Sequence, residues 1–117
     1  MFSYENLEVY RKAYQANQKV YRLLKENKKI IPYAKNQLGR ASLSIMLNIA
    51  EGSAKFSDKD RKNFYITARG SVFECSSLVS FLSVEGELAT KWKEEICASY
   101  EEISKMLFAM IKKPERT

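Results

Sequence analysis

Helix breakers set the tightest limit on this fold: 117 residues contain two prolines and four glycines. A many-turned β fold needs more of both. Four of the six (Pro32, Gly52, Gly86 and Pro114) fall between or just after stretches whose apolar residues recur at intervals of three and four, the period of a helix. The chain is short enough for one core, and its 45% hydrophobic content is sufficient to build one.

Four helical segments follow. In the first, over about 4–27, Tyr10, Ala13, Tyr14, Val20, Tyr21 and Leu24 form the apolar stripe, with Lys12, Gln15, Lys19, Arg22 and Glu26 opposite. Pro32 disfavours helix at Ile31 and suits the first position of the next segment. That segment, 32–51, has a core stripe of Ala34, Leu38, Ala41, Ile45 and Ile49, with Gly52 placed for a left-handed cap. Ser57 followed by Asp60 resembles a capping box and opens a third segment over 58–83. Its stripe is Phe64, Ala68, Ser71, Cys75, Leu78 and Leu82, and Gly86 lies in the turn beyond. The fourth, 88–113, carries Leu88, Trp92, Ile96, Tyr100, Ile103, Leu107 and Met110. Short connections make neighbours antiparallel, so the expected fold is an all-α, up-down-up-down four-helix bundle, one domain over 1–117.

Two of these helices lack an ordinary wet face. Residues 41–50 carry no charge in a chain that is 29% charged. With Leu38 at zero on a helical wheel, Leu43 and Leu47 lie at about 140° and 180°, pointing outward. The third segment holds one charge, Glu74, between 70 and 84, and Ile66, Phe73 and Val84 point away from its core. Helices built to be covered on both sides need a cover. The runs are shorter than the ~20 apolar residues of a membrane span, which leaves a protein, and by default another copy of the chain. Leu43, Leu47, Ile66, Phe73 and Val84 are therefore the expected oligomer interface.

Arg40, Ser44, Asn48 and Glu51 line one flank of the second helix, and the third offers Arg69 and Glu74. Charges in apolar surroundings should be paired. Glu74 and Arg40 are the more level match, and these six residues are read as a structural polar seam fixing register and subunit pairing.

Net charge is +6, with a pI near 9.3. Residues 11–40 hold nine positive charges against one acid, Glu26, a balance of +8. Residues 85–102 hold six glutamates against Lys91 and Lys93, a balance of −4. Such polarity suits a polyanionic partner, or contact between basic and acidic faces of neighbouring copies. Candidate nucleic-acid contacts are Arg11, Lys12, Lys19, Arg22, Lys25, Lys28, Lys29 and Lys35.

Catalysis has little to stand on. There is no histidine, which removes histidine bases and ligands together. The two cysteines, Cys75 and Cys97, match no metal spacing. Neither a metal nor a cofactor is expected. The polar opening "MFSYENLEVYRK" is unlike a secretory leader, so a cytoplasmic protein with reduced thiols is expected. Ser42, Ser44, Ser71, Ser76, Ser77, Ser80 and Ser83 lack a neighbouring base and read as small-residue helix packing. Trp92 and the tyrosines read as core rather than as a base-stacking platform.

Two stretches, "QLGRASLSIMLNIAEG" and "FYITARGSVFE", carry a family likeness. With "LEVYRKA" near the start, the chain resembles the four-helix-bundle proteins encoded in intervening sequences of bacterial 23S ribosomal RNA genes, sometimes classed with ribosomal proteins. The pattern is Gln37-Leu38, Arg40-Ala41, Ser44-Ile45, Asn48-Ile49-Ala50-Glu51-Gly52, then Ala68-Arg69-Gly70-Ser71 and Glu74. Gly39 departs from it, since larger or charged residues are common there. The resemblance implies an up-down bundle assembled as a homopentamer, with no established activity. The chain is also similar to the accessory protein of diversity-generating retroelements, a basic pentamer that binds a reverse transcriptase and nucleic acid. Two functions remain: a non-catalytic nucleic-acid or ribonucleoprotein-associated module, and a structural scaffold or protein-interaction adaptor with no nucleic-acid role.

Overall fold

A computed structural model describes residues 1–115, as four long helices and no strand among them. The helices are α1 (Glu8–Glu26), α2 (Pro32–Ser53), α3 (Asp58–Val84) and α4 (Thr90–Lys112). Pro32 takes the first position of α2, where its missing N–H costs nothing. Ser57 caps α3, its Oγ accepting from Asp60 N at 3.1 Å, and Asp58 and Asp60 place negative charge at the positive end of the helix dipole. Gly86 takes φ +77°, and Glu87 N donates across it to Leu82 O at 2.9 Å, ending α3.

Two boundaries differ from expectation. The first helix begins at Glu8, because Ser3–Asn6 form a separate 3-10 turn and Leu7 is extended. Glu5 stabilises that turn by accepting from Phe2 N at 2.6 Å. Gly52 is not a left-handed cap. It lies within α2, buried, where the helix meets Tyr65 and Phe64 of α3. Only Gly86 has positive φ among the described residues.

Each helix packs on its neighbours in the chain, and α1 closes against α4. Between α1 and α2, Leu24 lies against Gly39 and Asn17 bonds Ser42. Between α2 and α3, Gln37 meets Glu74, Ser44 meets Ser71 and Gly52 meets Tyr65. Arg69 stacks on Phe108, and Ser76 lies 4.0 Å from Cys97. Across the closing pair, Lys12 reaches Glu102 and Asn27 donates to Glu87 O. In every pair the residue number rises on one helix as it falls on the other. The body measures 50 × 26 × 21 Å.

The buried stripe of α2 is the expected one, Ala34, Leu38, Ala41, Ile45 and Ile49, joined by Ser42 and Gly52. In α4, Ile96, Tyr100, Ile103 and Leu107 are buried, with Trp92 and Met110 half-buried against them. The α3 stripe is rotated by one residue: Tyr65, Val72 and Val79 join Ala68, Cys75 and Leu82, while Phe64, Ser71 and Leu78 are half-buried on the flank facing α2. In α1 the small residues Val9, Ala13, Ala16 and Val20 form the core, and Tyr14 and Tyr21 are 45% and 57% exposed. Small side chains let α1 sit close to the bundle, and the bulky rings are displaced to its edge.

Candidate nucleic-acid interface

The outer side of α1 is fixed by its inner one. With Val9 inward, Arg11, Arg22 and Lys25 fall on the far half of the wheel and Lys19 at its side, about 80° round, and all four are exposed. Lys28 and Lys29 extend this face into the connection that follows, also exposed. Asn27 shapes that connection: its Oδ1 accepts from Lys29 N (2.8 Å) and Ile30 N (2.9 Å), and its Nδ2 donates to Glu87 O (3.0 Å). The buried Ile30 then anchors the turn. None of these six cations has an ion pair among the described residues.

Lys12 stands apart from the rest. It is half-buried on the α4 side, its Nζ 2.8 Å from Glu102 and 4.0 Å from Glu8. The hydrogen bond to Glu102 raises its pKa. Glu102 therefore competes with any phosphate for its charge. Lys35 is half-buried between α1 and α2.

Leu43, Leu47, Ile66, Phe73 and Val84 are all exposed, by 43–82%. On α3, Ile66, Gly70, Phe73, Ser77 and Val84 follow steps of four, three, four and seven, a heptad-like row on the outer surface. Phe81 and Phe108 add exposed aromatic surface nearby.

The polar seam is only partly assembled. Asn48 Nδ2 donates to Ser44 O (2.8 Å) and Ser44 Oγ (2.9 Å), and Ser44 Oγ lies 2.8 Å from Ser71 Oγ. This cluster ties α2 to α3. The expected Arg40–Glu74 match does not form: Gln37 Nε2 donates to Glu74 instead. Arg40 and Glu51 are exposed and unpaired among the described residues. They sit about 200–220° around from Leu38, beyond the Ser/Asn edge that touches α3. Arg69 also stands outside the cluster. Its guanidinium stacks on Phe73 (4.8 Å) and Phe108 (5.0 Å), and its buried Nε has no hydrogen-bond partner among the described residues. The charges that sequence spacing grouped are thus distributed to three places.

Other chemistry is sparse. Burial pushes the Cys75 thiol up to about 12, so it stays protonated at neutral pH. The Tyr100 hydroxyl is buried near Cys75 and Ser42 without meeting hydrogen-bond geometry with either. Ser42 donates to Asn17 Oδ1 at 2.7 Å, a structural use of the hydroxyl. A groove of about 620 Å³ between α3 and α4 mixes Lys93 with Glu94 and Glu101, so it favours neither sign of ligand. Among the described residues no group of three His, Cys, Asp or Glu side chains could hold a metal ion. No helix there is long and apolar enough to cross a membrane.

The exposed rings of Tyr14 and Tyr21 are a surface feature that three-and-four periodicity does not show. Their position on the flank of the α1 wheel, more than 100° from Val9, was the available signal.

The family described as 23S rRNA-intervening sequence protein matches residues 5–109. Among solved structures, a protein with unknown function from the S23 ribosomal protein family of Bacteroides thetaiotaomicron VPI-5482 is similar, with a TM-score of 0.85 and 24% identity. The alignment covers 90% of this chain and 99% of that one. At that identity the likeness bears on the fold alone. No curated protein matches the chain.

Proposed function

The chain belongs to the 23S rRNA-intervening sequence protein family, and from that premise we propose that it is a non-catalytic, oligomeric protein that binds nucleic acid or a ribonucleoprotein weakly through its basic face. The proposed unit is a single antiparallel up-down-up-down bundle domain spanning 1–117, acting in the cytoplasm. The observation that carries this reading is the run of exposed cations Arg11, Lys19, Arg22, Lys25, Lys28 and Lys29 along α1 and the turn after it, none in an ion pair among the described residues. Positive charges left without a carboxylate partner can displace counterions from a phosphate backbone, and that release is what gives sequence-independent affinity. Lys35 contributes from the neighbouring cleft, and Lys12 less than its position suggests, because Glu102 already engages it.

The seam residues Ser44 and Asn48 are assigned a structural role between α2 and α3. Arg40 and Glu51 are left for contacts outside the chain. The exposed rows on α2 and α3 favour a contact between copies, and the family resemblance gives five as the copy number to test. A reverse transcriptase is the protein partner that the retroelement likeness suggests. The same rows support the second reading, a scaffold with no nucleic-acid role.

Binding measured against salt separates the two. Affinity for RNA or duplex DNA is expected to be weak, indifferent to sequence, and to fall steeply as salt rises. Replacing Lys19, Arg22, Lys25 and Lys28 together by Glu is expected to abolish it while leaving the helical signal unchanged, since all four side chains are exposed. An affinity that ignores salt, or none at low salt, leaves the scaffold reading standing.

A further inference from the structure

Between α1 and α2 lies a cleft of about 380 Å³ whose character differs from the rest of the surface. Its floor is apolar, made by Val20, Leu24, Gly39 and Leu43. Its rim carries Lys25, Lys35 and Arg40, and no acid lines it among the described residues. None of these three cations has an ion pair among the described residues. The ring of Tyr21 forms part of the wall, with Lys25 Nζ 4.7 Å from its centroid. Tyr14 is exposed two turns earlier on the same flank of α1.

An apolar floor beside an exposed aromatic ring takes a flat, weakly polar group. Three cations on the rim take the phosphates attached to it. A basic surface alone would serve a duplex, whose bases are stacked away from a protein ring. Only an unpaired strand can place a base against Tyr21 and its phosphates on Lys25, Lys35 and Arg40 at once. We infer that this cleft is a nucleotide subsite for single-stranded nucleic acid, Tyr21 stacking a base and the three cations holding the flanking phosphates. The inference rests on the nucleic-acid reading above and narrows its ligand to an unpaired strand. Gly39 keeps the floor open: a Cβ there would point at Leu24, 3.4 Å away, and a longer side chain would occupy the space the base needs. Leu43 also edges the outward row of α2, so the cleft abuts the proposed contact between copies.

The test compares three labelled probes by fluorescence anisotropy at low salt: oligothymidine, a strand of equal length whose sugars carry no bases, and a duplex. The wild-type protein is expected to bind oligothymidine roughly 5- to 100-fold more tightly than the baseless strand, the range for one stacked base. Tyr21→Ala and Gly39→Met should each remove that preference, and Tyr21→Phe should keep it. Arg40→Gln should weaken both single strands alike. Equal affinity for the base-bearing and baseless strands overturns the subsite while leaving the basic-face reading intact. A preference that survives Tyr21→Ala also overturns it. Failure of all three probes to bind removes the nucleic-acid reading itself.

Discussion

Leu47→Glu and Phe73→Glu are each expected to reduce the assembled protein to single chains of 13.6 kDa while the helical circular-dichroism signal persists. Both side chains are more than half exposed on the isolated chain, so neither replacement disturbs the core. Burying a large apolar side chain contributes roughly 1.5–3 kcal/mol. Several such residues in one contact offset much of the entropy lost on association. A glutamate at 47 must give up its hydration on burial, which removes the contribution and adds a penalty; at 73 it lies beside Arg69, so there the effect comes from losing the aromatic contact area. In a closed ring one subunit's α2 would meet the next subunit's α3, a heterologous contact, so a change on either helix breaks every junction. Light scattering reads the outcome directly. Five times the chain mass for the wild type would support the copy number that the resemblance implies. A dimer would remove only that number, and a single-chain mass at micromolar concentration would remove the interface.

Two glycine replacements are expected to change stability in opposite directions. In a helix interior alanine is favoured over glycine by about 1 kcal/mol. At Gly52 that gain is overridden. A Cβ there would lie 2.8 Å from Tyr65 Cε1 and 2.9 Å from Phe64 Cβ. The Phe64 atom is attached directly to the α3 backbone and cannot rotate away, so the two helices must separate near their shared turn. Overpacking of this kind costs about 1–3 kcal/mol, and Gly52→Ala should be net destabilising. Gly70, on the outer side of α3, has nothing within 4 Å of its own Cβ position. Gly70→Ala should therefore stabilise by up to about 1 kcal/mol. Denaturant titrations in the Leu47→Glu background keep assembly out of the measurement. A stabilised Gly52→Ala protein would mean that α2 and α3 are free to shift apart there.

Sequence periodicity located the core of α4, which has one dominant apolar stripe, and of α2, where five residues at three- and four-residue spacing line the inner face against Leu43 and Leu47 on the outer one. It misplaced α3 by one residue for a definite reason. That helix is apolar on two sides, so Phe64, Ser71 and Leu78 fit a three-and-four pattern as well as Tyr65, Val72 and Val79 do. Which stripe faces inward depends on the partner helices, not on α3 itself. Tyr14 and Tyr21 read as core on hydrophobic character, but the alanines of α1 face the bundle and leave no room for rings. The basic face was legible as a charge balance. The capture of Lys12 by Glu102 was not, because it joins residues at opposite ends of the chain. Spacing grouped Arg40, Glu51, Arg69 and Glu74, but could not foresee that Gln37 would take Glu74 or that Phe108 would help hold Arg69.

The three connections, 27–31, 54–57 and 85–89, each join helices that lie against one another. Among the described residues, distant parts of the chain meet chiefly where α1 closes on α4 and where the turn Ser3–Asn6 packs on the end of α2, Ser3 Oγ lying 3.1 Å from Ser53 Oγ. Folding a chain of this kind proceeds mainly through nearby contacts, on the microsecond-to-millisecond scale. Association between copies instead waits for diffusional encounter and slows on dilution. In the proposed assembly the two processes are therefore separated in time: a newly made chain would present its finished outer rows of Leu43, Leu47, Ile66 and Phe73 to the solvent before a neighbour covered them. For that assembly, mistaken association would compete in this interval as well as in the unfolded state.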